Sequence, residues 1–355
     1  MIGVAAAAAV WPLPPAFVER WFGGAWYPGV QRVLTRMSNL VPVAFIDVLL
    51  VAAVAAVVWA SVSVWRAPRG DRWRVARRHL TLDLTIGAAA YLVFLAAWGL
   101  NYQRPPVTGR VDFDGERVTR AAVRALNDTA LAELVRARAG LPSSLDGWPS
   151  RPEVAATLVP GLARTTAALG LPRGVVPGRP KFTLLDPYFT RAGISGMTDP
   201  FFLETLVASN MLAFETPMVI AHEWGHLAGL ARESEASFFG WLVCLQGPPE
   251  ARYSAWYEAF LLTLPAFDRD ERRARLEALP EPVRADIRAA AARTQRDEVQ
   301  PLRLVAWRTY DAYLKANRVE SGVRNYGEVV RLMAGTRFDA SWRPVRRTTD
   351  RRWPE

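Results

Sequence analysis

The sequence predicts a mostly α-helical protein, with N-terminal transmembrane helices followed by a predominantly helical domain that has a few short strands. Three observations predict it. Two apolar stretches of membrane-spanning length lie within the first 100 residues. The segments beyond them repeat apolar residues at helical spacing. One of those later helices carries the word His222-Glu223-Trp224-Gly225-His226.

Residues 1–100 read as the membrane region. Residues 40–64 are nearly continuous apolar sequence interrupted by Asp47, and residues 82–100 are similar with Asp83 near their start. Each is close to the ~20 residues a helix needs to cross a bilayer, which places helices at about 42–64 and 82–100. The intervening residues 65–79 carry six arginines, and a short arginine-rich loop belongs on the cytoplasmic side. Both spans then emerge outward. This predicts a multi-pass plasma-membrane protein, in contact with the lipid bilayer, whose domain beyond Leu100 is extracytoplasmic. Residues 1–17 are apolar but short, and Pro12, Pro14 and Pro15 interrupt them, so they stand as a possible third segment. No basic residue precedes that run, which argues against a cleaved signal peptide. Residues 19–39 read as a short outer segment, with Trp21, Trp26 and Tyr27 suited to the interface.

Residues 101–115 read as a linker, marked by Pro105-Pro106 and Gly109. The main domain is expected over residues 116–335. Within it, residues 117–140 and 152–169 look like amphipathic helices, and residues 181–185 look strand-like. Residues 193–197 suit a short edge strand with a tight bend, and residues 253–264, 282–296, 302–317 and 325–333 are helical by pattern. Residues 336–355 form a basic C-terminal tail.

The H-E-x-x-H word carries the chemistry. Residues four apart on a helix lie on one face, so His222 and His226 offer two imidazoles to one metal ion. Glu223 stands beside them to take a proton from a water. Thr216 is the expected N-cap, Pro217 suits the first helical position, and Gly229 is the expected stop. The neighbours Met218, Val219, Ile220 and Ala221 are apolar, so the helix is expected to be buried, and its polar groups must be satisfied. The plainer alternative is a hydrogen-bonded histidine pair in a core with Glu223 as its partner. A zinc site also needs a third protein ligand. His79, the third of three histidines, lies in the arginine-rich loop, and Cys244 sits in an apolar run. That leaves Glu233 or, as the alternative, Glu235, at the start of a second apolar helix that ends before Gly247-Pro248-Pro249. Both glutamates are also ordinary N-terminal helix residues. The E-x-x-A register of Glu233 resembles the third-ligand helix of several His-His-Glu metallopeptidase families, which favours Glu233. An oxyanion-stabilising donor is needed as well, and Tyr253, Tyr257 and Tyr326 are the candidates.

The net charge of +10 does not point to nucleic acid. Much of it sits in the arginine loop and the tail, where basic residues meet anionic lipid or solvent, and no nucleic-acid-binding word appears. One cysteine excludes an internal disulfide.

The chain resembles the bacterial domain-of-unknown-function 3810 family of membrane proteins over nearly its whole length. The residues that carry the likeness are Trp98-Gly-Leu-Asn-Tyr-Gln-Arg104, Gly193-Ile-Ser-Gly196, His222-Glu-Trp-Gly-His-Leu-Ala-Gly229 and Arg232-Glu-Ser-Glu-Ala236. Two further matches are Tyr313-Leu-Lys-Ala-Asn317 and Gly322-Val-Arg-Asn-Tyr326. Ser237 stands where family members usually have Asn, and their first segment is typically a full membrane helix. The resemblance supports a zincin-like, predominantly helical metallopeptidase domain. The expectation is thus a membrane-anchored zinc metallopeptidase: Zn²⁺ held by His222, His226 and Glu233, Glu223 as general base, and a peptide substrate lying along residues 193–197. Two alternatives stand beside it: a non-catalytic membrane scaffold with a structural metal site, and a zinc hydrolase acting on cell-envelope material.

Overall fold

The computed structural model describes residues 1–142, 147–317 and 326–347. Helices dominate, and the strands among the described residues are few and short. Helix α1 (Ile2–Val10) stops ahead of Pro12, Pro14 and Pro15, whose fixed φ and missing N–H bar a continuing helix. The chain restarts as α2 (Pro15–Phe17), winds through a π-helical stretch at Val18–Trp26 and continues as α3 (Tyr27–Asn39). The two arms, Ile2–Val10 and Pro15–Asn39, meet at 114°. The third segment expected over residues 1–17 is therefore one arm and the bend of a longer broken pair, and the prolines are the reason.

Helices α4 (Phe45–Arg66) and α5 (Arg72–Ala97) are both long and apolar enough to cross a membrane, and only 6% and 11% of their apolar windows are buried. Their sides remain open, as lipid-facing helices require. Helix α5 begins well before the expected residue 82. Arginine, alanine and leucine are good helix formers, so the helix continues past its apolar part, and only residues 67–71 are left to turn. His79, expected in a loop, is accordingly helical and packs edge-on against Trp59 at 5.0 Å.

After α5 the chain tightens into short 3-10 turns at Gly99–Gln103, Val107–Gly109 and Gly115–Arg117. The stretch read as a linker is packed: Asn101, Tyr102, Arg104 and Val107 are all buried. Arg104 donates to Glu19 (2.8 Å), to the Asn101 side chain (3.1 Å) and to the Gly229 carbonyl (3.3 Å).

Helix α6 (Arg120–Ala139) starts at Thr119, whose hydroxyl accepts from the Ala122 N–H, and α7 (Arg151–Ala168) starts in a Ser150–Glu153 capping box. Each device satisfies donors that the first helical turn leaves free. Strand β1 (Pro180–Lys181) leads to α8 (Asp186–Ala192), then β2 (Gly196–Thr198) and β3 (Thr205–Val207). The sheet order is β1-β3-β2, with β1 parallel and β2 antiparallel to β3. The strand expected over residues 181–185 is cut short because Thr183 and Leu184 turn to Asp47 at the start of α4, donating to its carboxylate at 2.6 and 2.9 Å. The edge strand near residues 193–197 is β2, shifted toward Thr198.

Helices α9 (Thr216–Leu227), α10 (Glu233–Leu245) and α11 (Pro249–Thr263) form the centre, with Trp224 and Trp241 fully buried among them. Glycines let α9 and α10 touch backbone to backbone. A Cβ on Gly225 would stand 3.0 Å from the Ala236 Cα, and one on Gly240 would stand 2.8 Å from the His222 nitrogen. The outer layer is α12 (Arg269–Glu277), which the sequence pattern did not suggest, then α13 (Glu281–Asp297), α14 (Gln300–Ala316) and α15 (Tyr326–Gly335). The first part of the basic tail is fastened to the domain. Bridges join Phe113 to Thr336 and Val111 to Arg346, and Trp342 packs on Trp256 at 5.0 Å. Residues 322–325 of the last family motif and residues 348–355 of the tail lie outside the described residues.

Candidate metal centre

Local rules set the frame of the site. Pro217 occupies the first turn of α9, while Thr216 is its first helical residue and returns its hydroxyl to the Leu212 carbonyl instead of capping. The helix stops because Gly229 turns left-handed at φ +87°, a conformation glycine adopts without strain. The reversal is closed by the Leu230 N–H on the Gly225 carbonyl at 3.1 Å and the Gly229 N–H on the His226 carbonyl at 2.8 Å, a Schellman-type closure. Only residues 228–232 then separate α9 from α10, so the first turn of α10 folds back over the histidines.

That reversal brings Glu233 to both imidazoles. His222 Nε2 lies 3.2 Å from Glu233 Oε2, and His226 Nε2 lies 3.4 Å from Glu233 Oε1. One ligand atom from each of the three residues falls within 4.8 Å of the others. Tetrahedral zinc ligands at ~2.0–2.1 Å from the ion stand about 3.3–3.4 Å from one another, and the two edges seen are close to that spacing. The far nitrogens are also held. His226 Nδ1 pairs with the Leu230 carbonyl at 2.8 Å, and His222 Nδ1 pairs with the Ser237 hydroxyl at 3.0 Å. An Nδ1–H donated to a carbonyl leaves the Nε2 lone pair free to bind metal, the usual support for a ligating histidine.

Glu223 is buried beside the pair. Its Oε2 accepts from the Thr198 hydroxyl of β2 at 2.8 Å. A Cβ on Gly196 would sit 2.8 Å from its Oε1, so glycine at the edge strand is what admits the carboxylate. Burial pushes the Glu223 pKa up, opposed by the two histidines and by Thr198. Burial alone would push the His226 imidazolium down, but the Glu233 carboxylate outweighs it and raises the group to about 9. Glu233, despite its own burial, is held well below the ordinary carboxylate range by His226 and His222.

Glu235 is turned away. Its carboxylate accepts from the Val107 N–H at 2.9 Å and faces Arg232 at 3.4 Å. Two of the tyrosines proposed as oxyanion donors also lie elsewhere. Tyr253 is fully buried and donates to Asp286 at 2.6 Å, while Tyr257 packs on Phe214 at 5.1 Å. Both belong to the apolar face of α11, whose spacing fills the core. Tyr326 opens α15, and its side chain lies outside the described residues. The tyrosine that does reach the centre is Tyr310 of α14, whose hydroxyl donates to Glu233 Oε1. It stacks on Tyr313 at 6.0 Å, which in turn meets Tyr102 edge-on at 6.1 Å. No local pattern singled out Tyr310, because its partner is 77 residues away.

Membrane-proximal residues hold the far end of α9. Tyr27 donates to the carbonyls of His226 (3.2 Å) and Leu227 (3.0 Å), and the Trp98 indole N–H reaches the His226 carbonyl at 3.4 Å. The Leu227 carbonyl is of the kind that the end of a helix leaves unpaired, and the His226 carbonyl, already closed by the Gly229 N–H, gains these donors in addition.

With this geometry in view, comparison with known proteins gives one assignment. Residues 22–334 match the family described as "Protein of unknown function (DUF3810)", and the chain belongs to that family. No curated protein and no solved structure matches the chain.

Proposed function

We propose that the protein is a membrane-anchored zinc metallopeptidase that hydrolyses peptide bonds. The observation that carries this reading is the convergence of His222 Nε2, His226 Nε2 and a Glu233 oxygen at zinc-ligand spacing, with Glu223 adjoining and held from a sheet edge. Three protein ligands of this N/O type leave a coordination position for water, as catalytic zinc sites do, whereas structural sites are closed by four ligands, often cysteines. This favours an enzyme over a metal-stabilised scaffold.

Zinc, when bound, supplies a Lewis acid that makes water nucleophilic near neutral pH and polarises the scissile carbonyl. Glu223 takes the proton of the attacking water and returns it to the departing amine. A raised pKa suits that exchange, since a base works best near the working pH. Thr198 keeps the carboxylate aimed while the proton moves. The outer edge of β2 accepts an extended peptide as an added strand. Tyr310 takes the oxyanion-donor role for which Tyr253 and Tyr257 are misplaced. The catalytic domain lies outside the cytoplasm, on the side opposite the arginine-rich turn.

The test is metal content and hydrolysis measured together on the detergent-purified full chain. Wild type should hold one zinc per chain, and His222→Ala together with His226→Ala should hold none. Glu223→Gln should keep the metal and lose cleavage of a mixed peptide library, and Tyr310→Phe should keep the metal while cleavage falls by about 10²-fold. Full zinc in the double histidine variant, or undiminished cleavage by Glu223→Gln, would overturn the reading.

A further inference from the structure

Helix α14 stands apart from the rest of the domain. Of its 17 residues only Ala306 and Leu314 are buried, so it adds little to the core, yet Tyr310 on it touches a ligand of the proposed metal. Large apolar side chains on it face outward: Leu304 is 53% exposed, Val305 58% and Trp307 42%. The same side presents Arg308, and Lys315 paired with Asp311 at 2.6 Å. A helix lying in a membrane interface carries such a side, with exposed apolar residues beside a basic one.

The position of α14 says which surface covers it. At one end, Tyr313 packs edge-on against Phe94 at 6.4 Å, and Phe94 lies one turn from the end of the apolar helix α5. At the other end, the Val299 N–H bonds to the Arg191 carbonyl of α8 at 2.8 Å. Just before α8, Leu184 bonds through its N–H to Asp47, in the first turn of α4. Phe182 and Leu184 there are 60% and 67% exposed, at the level of a residue inside the apolar span. Because α4 and α5 are a hairpin joined by residues 67–71, the Phe45 end and the Ala97 end lie on one side of the membrane. A helix about 25 Å long tied near both ends therefore runs over the surface where the spans emerge.

We infer that α14, together with the corner at Phe182 and Leu184, is a membrane-docking surface seated at the headgroup boundary of the bilayer that α4 and α5 cross. The His222–His226–Glu233 centre, touched by Tyr310 from this same helix, then lies close to the lipid surface. Arg308 adds attraction for anionic headgroups. The inference concerns lipid contact alone and stands whether or not the centre hydrolyses peptides.

Site-directed spin labelling of the full chain in phosphatidylcholine–phosphatidylglycerol vesicles tests it. Cys244 is fully buried and does not compete for label. Leu304→Cys, Val305→Cys and Leu184→Cys are labelled one at a time, with Arg273→Cys on the charged helix α12 as the water-exposed reference (side chain 79% exposed). All four are surface positions, so folding is preserved. The three apolar positions should favour collisions with oxygen over a water-soluble nickel chelate several-fold more than the reference does. Nickel accessibility equal to the reference would overturn the inference. So would dipolar broadening between labels at one position, which would show a second copy of the chain on this face instead of lipid.

Discussion

Glu233 and Glu235 stand two residues apart and do opposite things. Two residues turn a helix by about 200°, so only one of them can face the histidines, and the reversal at Gly229 selects the first. The other, buried, pins Val107 to α10. Glu233→Ala should therefore reduce zinc affinity by orders of magnitude. Glu235→Ala should keep most of the zinc and instead destabilise the fold by ~1–3 kcal/mol, the cost of stranding a buried donor. Zinc titration and thermal unfolding of both variants separate the two effects, and the reverse order in the titration would reassign the third ligand. The meeting of Glu233 with the two histidines was legible in the sequence, because the i, i+4 spacing, a glutamate seven residues after His226 and one glycine stop are local facts. Tyr310 and Thr198 were not legible, because each comes from an element that meets α9 or α10 only through the tertiary fold.

At the scale of elements, the site is precise because α9 and α10 touch at glycines. The space beside Gly240 is closed by the His222 backbone, which cannot yield as a flexible side chain would. Gly240→Ala should force the helices apart and cost ~1–3 kcal/mol as overpacking does. Since the displaced atom belongs to a proposed ligand, zinc affinity should fall along with the melting temperature. A variant that melts lower but binds zinc as wild type would show that the ligands are positioned by something other than this contact. Helix periodicity revealed most helices to within a few residues. The strands were harder: β3 is three residues long, too short to display alternation, and β1 yields to the turn that serves Asp47. Short strands are fixed by their neighbours and not by their own pattern.

At the scale of the molecule, the spans and the domain are one packed unit. Lys181, 1% exposed, donates from β1 to Glu204 at 2.7 Å and to the carbonyls of Ser38 and Val43. Glu204 accepts in turn from the Ile46 N–H at the start of α4 at 3.1 Å. The sheet is thus bolted to the membrane helices, and the side of the membrane on which the turn of the hairpin lies fixes the side of the metal centre. Arg66, Arg69, Arg72, Arg74, Arg77 and Arg78 crowd that turn. On the opposite side, the segment preceding α4 has only Arg20, Arg32 and Arg36. A short segment richer in arginine stays in the cytoplasm, which predicts that the C-terminus and the His222–His226–Glu233 centre lie outside. Paired reporter fusions at the C-terminus measure this: an alkaline phosphatase fusion should be active and a green fluorescent protein fusion dark. The opposite result would place the centre in the cytoplasm. It would also show that charge at the hairpin turn is outweighed in this chain by the segment preceding α4.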